Sequence, residues 1–184
     1  RIMSHFAVTG VIDESADIST LNHHLEEALE PYNENGECFR EGSRWDWWVV
    51  GGRWKGELIT LDGEDCDIAR KQNIDWDAMG AKQVAALEAE YERVIALEAN
   101  PWLEPALDGE SKEAYVRRLF KPFCTYAFLD ADGVWHEKGR MGWFGQSMEN
   151  EDGEGEKDDW PSQYQTLLRA VKDGDCLVIV DCHV

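Results

Sequence analysis

Two stretches of this 184-residue chain hold residue types that could do chemistry. The first is the C-terminal segment Cys176 to Val184, which reads as a strand. Period-two alternation places Leu177, Ile179, Asp181 and His183 on one face, and Cys176, Val178, Val180, Cys182 and Val184 on the other. The second set reads as a core face. Asp181 and His183 project together, and His5, at the start of the first strand, is expected beside them. Such a His–Asp–His group could serve acid–base chemistry or bind a metal with open positions. Equally, Asp181 and His183 could satisfy each other at a sheet end. His136, which follows Trp135 in an expected hairpin, could point toward the same region.

The second stretch is Trp45-Asp46-Trp47-Trp48-Val49-Val50-Gly51-Gly52-Arg53-Trp54. On a strand, Trp45, Trp47 and Val49 share one face, and Asp46, Trp48 and Val50 the other. An Asp buried between tryptophans must be hydrogen-bonded. Arg53 could pair with it across the Gly-Gly turn, or with another acid. One reading is an aromatic-walled, ligand-binding pocket of Asp46, Trp48, Arg53, Trp54 and Trp143, with Arg53 as the anion contact. The other is a structural corner, with tryptophans as core, glycines for backbone approach and a buried Arg–Asp clamp.

Several chemistries find no support. There is no GxxxxGK[ST] or GxGxxG loop opening a helix, no HExxH and no GxSxG. The five cysteines, at 38, 66, 124, 176 and 182, form no CxxC pair, which disfavours a disulfide framework or a zinc site. Cys182 falls on the core-facing side and is a poor nucleophile candidate. The acidic run 149–159 lacks the ligand spacing of a calcium loop. No cofactor and no metal site are therefore expected.

These residues need elements to position them. His5 to Ile12 reads as a buried strand. Ser19 or Thr20 can cap a helix carrying Leu21, Leu25, Ala28 and Leu29, which Pro31 ends. Arg44 to Val50 is strand-like, and Trp54 to Leu61 reads as a second strand. Residues 81–99 place Val84, Leu87, Tyr91, Val94 and Ile95 on one helical face. Ser111 can cap a shorter helix. Thr125 to Leu129 and Val134 to Glu137 flank an Asp130-Ala131-Asp132-Gly133 turn, a hairpin signal. Pro161 suits the first turn of a helix bearing Tyr164, Leu167, Leu168 and Val171, with Gly174 at its C-terminal cap. The order predicts a single α+β domain over 3–184. It would be a ferredoxin-like βαββαβ sandwich with helices on one sheet face and a mostly helical insertion at about 64–120.

Composition bounds the partners. The chain carries 38 Asp and Glu against 18 Lys and Arg, a net charge of -20. Direct nucleic-acid binding is disfavoured, because it needs basic surface to displace counterions. No apolar run approaches the ~20 residues of a membrane span. No basic leader with an apolar stretch precedes the first strand, so a reduced, cytoplasmic protein is expected. The charge is concentrated. Residues 13–41 hold nine acids and one arginine, and 149–159 hold seven acids and one lysine. Blocks of this kind can dock on a basic partner with a steered on-rate.

The chain resembles a family of uncharacterised phage, prophage and bacterial proteins. The resemblance rests on Ser4-His5-Phe6-Ala7-Val8, Leu29-Glu30-Pro31-Tyr32-Asn33, Trp45-Asp46-Trp47 and Gly51-Gly52-Arg53-Trp54. It continues through Thr125-Tyr126-Ala127, Asp132-Gly133-x-Trp135, Met141-Gly142-Trp143-Phe144-Gly145 and Val180-Asp181-Cys182-His183. Trp48 stands where Tyr is expected. The resemblance implies a phage-type origin and brings no activity with it. With the charge, it suggests an acidic accessory protein, in the host cytosol if phage-encoded, that binds and inhibits a basic host protein. A nucleic-acid-binding defence factor such as a CRISPR effector or restriction enzyme would fit. The alternative is a small enzyme or binding protein for a nucleotide-like or other anionic ligand. In that reading His5, His136, Asp181 and His183 would be catalytic.

Overall fold

The structure is a computed structural model and describes residues 5–16, 20–35, 43–98, 109–141, 147–148 and 159–184. Its centre is the pair β1 (His5–Ile12) and β10 (Cys176–His183), antiparallel over all eight residues from His5↔His183 to Ile12↔Cys176. Both strands are β-branched and apolar runs, the composition of strands covered on two faces. β6 (Ala127–Leu129) adds to β1 in parallel, and β7 (Trp135–Glu137) returns antiparallel to β6. The expected turn at 130–133 joins them, with the Asp130 carboxylate accepting the N–H groups of Asp132 and Val134. β2 (Trp47–Val50) and β5 (Ile68–Arg70) both pair with β10, at opposite ends of it. The resulting mixed sheet has the order β2-β10-β1-β6-β7.

Helices lie on both faces of this sheet. α1 (Leu21–Leu29) buries Leu21, Leu25 and Leu29 against Phe6, Val8, Val178, Val180 and Cys182. α4 (Trp160–Ala170) covers the opposite face, where the Tyr164 hydroxyl meets Thr9 at 2.7 Å and the Tyr164 ring meets Phe128 edge-on. The expectation of helices on one face is therefore corrected. So is the strand order: β6, the first strand of the hairpin, sits beside β1, where the ferredoxin-like arrangement puts the second. An apolar stripe tells that a helix must be covered, and does not say by which face. What stands is a mixed α+β fold.

Two smaller pairings complete the strands. β3 (Leu58–Ile59) pairs with β4 (Asp65–Cys66), and β8 (Arg140–Met141) with β9 (Ser147–Met148). Residues 65–66 and 68–70 are thus strands, with Asp67 in a bend between them, and the helical part of the insertion begins at Trp76. The chain forms two compact units, residues 1–75 with 124–184, and residues 76–123. The second holds α2 (Trp76–Glu98) and α3 (Lys112–Leu119). Ser111 caps α3 by accepting the Ala114 N–H, as its position predicts. Tyr91 and Tyr115 meet at 5.4 Å between the helices, and the Tyr91 hydroxyl donates to the Glu110 carbonyl. Pro161 occupies the first turn of α4. Gly174 is no cap: a Cβ there would fall 2.0 Å from the Glu14 carboxylate, so close packing explains the glycine.

Candidate functional site

The site forms where β1, β10 and β2 end together. Cross-strand register sets His5 opposite His183, and His183 opposite Trp47. One step inward, Asp181 stands between Ala7 and Val49. Because side chains alternate, His5, Asp181, His183, Trp47 and Val49 share one face, the face that α4 covers further along. Asp46 lies in the bend just before β2, outside the alternation, and its carboxylate turns toward His183.

Four of these side chains join as two His–Asp pairs. His5 Nδ1 bonds Asp181 Oδ1 at 2.8 Å, and His183 Nδ1 bonds Asp46 Oδ1. The two imidazole rings meet edge-on, centroids 5.0 Å apart. A carboxylate partner requires Nδ1–H to donate, so Nε2 is the nitrogen left for chemistry in both rings. His183 is 93% buried at its side chain, and its Nε2 has no hydrogen-bond partner among the described residues. An unsatisfied buried polar atom costs about 1–3 kcal/mol and is uncommon in native proteins.

The Gly-Gly turn explains how Asp181 is held. Asp181 is nearly fully buried, and its second oxygen accepts the main-chain N–H of Arg53 at 3.0 Å. Gly52 has φ +53, and a Cβ on it would lie 2.4 Å from Asp181 Oδ2. On the other side of the turn Asp67 takes the same role. Its carboxylate accepts the Gly56 N–H at 2.6 Å and would clash with any Cβ on Gly51. Both glycines are thus present so that carboxylates can approach the chain, as the structural reading of the motif expects.

The remaining sequence candidates divide. Arg53 contributes its main chain to Asp181. Its guanidinium is exposed and makes no ion pair among the described residues, so the expected Arg53–Asp46 clamp is corrected. Trp47, which the pocket reading left out, is half exposed and meets the His5 ring edge-on at 6.4 Å. Trp48 pairs with Cys182 on the opposite face and packs against the α1 core, so it is no wall of this site. Trp54 is half-buried on the turn. His136 Nε2 bonds Asp130 at 2.8 Å within the hairpin, apart from the two pairs. Trp143 and most of the acidic run 149–159 lie outside the described residues. Cys182 is on the core face, where burial and then the charge of Asp181 push its thiol well up, against a nucleophilic role.

Sequence reasoning missed Asp67 and the pairing of Asp46 with His183. The double glycine was the available signal for the first. Among the described residues, no group of three or more His, Cys, Asp or Glu side chains is arranged to hold a metal ion. None of their helices is long and apolar enough to cross a membrane. Comparison with protein-family models, curated proteins and solved structures finds no match to this chain.

Proposed function

We propose that this chain is a small enzyme or binding protein whose centre is the double His–Asp pair. It would act by proton transfer on a small anionic, nucleotide-like ligand. The observation that carries this reading is the buried, unpartnered Nε2 of His183, held beside His5 with both Nδ1 atoms fixed by carboxylates. Such a nitrogen is a base without a competing partner, oriented as general acid–base groups require. Arg53 on the adjoining turn supplies an exposed cation for an anion, and Trp47 an exposed ring at the rim.

The test is turnover of model phosphoesters and nucleotides, with a thermal-shift screen of the same compounds. A ligand should raise the melting temperature of the wild-type chain, and His183→Gln should abolish turnover of it while the fold persists. A flat screen, or a substrate turned over equally by His183→Gln and His5→Gln, would sink the reading.

The net charge of -20 favours a second reading, the phage-type inhibitor of a basic host protein. In the described part of the first acidic block, Glu26, Glu27 and Glu30 are exposed on one edge of α1 and the turn that follows it. A basic partner bound by the wild-type chain should be lost when these three are reversed to Lys. Unchanged binding would refute a role for that surface.

A further inference from the structure

The two His–Asp pairs have a property that proton transfer does not call for: both leave the same nitrogen uncommitted, on rings that meet edge-on. Each Nδ1 is occupied by a carboxylate, which leaves Nε2 as the only available ligand atom of His5 and of His183. A carboxylate on the far nitrogen is how proteins orient metal-binding histidines and raise their basicity. Two imidazoles sharing one tetrahedral ion, with N–metal bonds of about 2.1 Å, have ring centroids about 5 Å apart. The His5 and His183 centroids are 5.0 Å apart. The unpartnered Nε2 of His183 then gains a partner.

We propose that His5 and His183 together hold one divalent transition-metal ion through Nε2, with Asp181 and Asp46 behind them as orienting acceptors. With only two protein ligands, the other coordination positions belong to water or to a bound anion, beside Trp47 and the Arg53 turn. Imidazole donors select zinc, nickel or copper over magnesium and calcium, which prefer oxygen. The strong negative charge of the chain favours cation uptake at any site, so selectivity is the diagnostic. An ion on Nε2 of His183 takes the lone pair that the base role uses, so this inference stands apart from that role and from the chain being an enzyme.

The experiment is calorimetric titration of chelator-treated wild-type chain with zinc, nickel, magnesium and calcium salts. Zinc and nickel should bind at one ion per chain, while magnesium and calcium should not compete. His5→Gln and His183→Gln should each weaken zinc by at least about tenfold. Should either variant misfold, ¹⁵N imidazole spectra of the wild-type chain decide the matter. Zinc should move Nε2 of His5 and His183 and leave His136 unmoved. Absence of saturable uptake, affinity unchanged in both folded variants, or shifts confined to the exposed His23 and His24 of α1 would overturn the proposal. Zinc binding without turnover would leave the metal site standing and count against the catalytic reading alone.

Discussion

Replacing Gly52 by Ala tests how tightly the Asp181 carboxylate is bound into its turn. Gly52 has φ +53 and Gly63 has φ +82, so both sit in the left-handed region. An L-residue there costs roughly 1–2 kcal/mol. Around Gly63 there is nothing within 4 Å of an added Cβ. Gly63→Ala therefore reports the backbone cost alone. At Gly52 the added Cβ would lie 2.4 Å from both Cβ and Oδ2 of Asp181, and must push that side chain away. Asp181 would lose the Arg53 N–H and its bond to His5, in a place with almost no solvent to replace them. Hydrogen bonds to a charged group contribute about 1.5–3 kcal/mol. With both bonds lost, Gly52→Ala should then destabilise by roughly 4–8 kcal/mol in all, against about 1–2 for Gly63→Ala. Urea unfolding followed by tryptophan fluorescence measures both. Equal losses, within about 0.5 kcal/mol, would show that Asp181 can move at little cost and that the site is not pinned as described.

Two further perturbations follow from other parts of the structure. Burial raises the Asp130 carboxyl, but the bonds from His136 and the N–H groups of Val134 and Asp132 outweigh it and hold it below the usual carboxylate range. A depressed folded value gives stability that is present above the ordinary aspartate pKa and lost as pH falls through the lower one. Asp130→Ala should therefore cost about 1 kcal/mol at neutral pH, with the gap from wild type closing as pH falls below the ordinary aspartate range, read from urea midpoints. Burial also pushes up the thiols of Cys176 and Cys182. With Ellman's reagent at mild alkaline pH, these two should react only after unfolding. Rapid labelling of Cys182 in the folded chain would contradict its place in the core.

What the sequence disclosed was set by alternation and local geometry. The two faces of β10, the 130–133 hairpin and the Ser111 cap follow from short-range rules, and all are present. The place of His5 beside His183 follows from the antiparallel pairing of first and last strands that a ferredoxin-like order implies, and that pairing is present although the rest of that order is not. On a strand, Asp46 would share the face of Trp48. It sits in a bend instead, so it escapes the alternation and reaches His183, while Trp48 goes to the core. Opposite charges made an Arg53–Asp46 clamp attractive on paper. The carboxylate that meets residue 53 is Asp181, 128 residues on, and it takes the main-chain N–H. Backbone donors carry no sequence signature, so this bond could be foreseen only through the two glycines that permit it. The side of the sheet taken by each helix was equally hidden, because it depends on crossover paths and not on any residue pattern.

The acids of this chain fall into two populations, and that separation makes the two functional readings independently testable. Asp46, Asp67 and Asp181 are directed at imidazoles and main-chain N–H groups, and none of them lies in the acidic blocks 13–41 or 149–159. The surface acids of α1 act, if at all, through long-range fields that salt screens within about 8–10 Å. Reversing Glu26, Glu27 and Glu30 should therefore change association with a basic partner, more so at low salt. It should leave zinc binding and ligand turnover essentially unchanged. His183→Gln should do the opposite. Should the charge reversal remove zinc binding, or His183→Gln remove partner binding in a folded chain, the surface and the site would form one functional unit. The separation drawn from their positions would then fail.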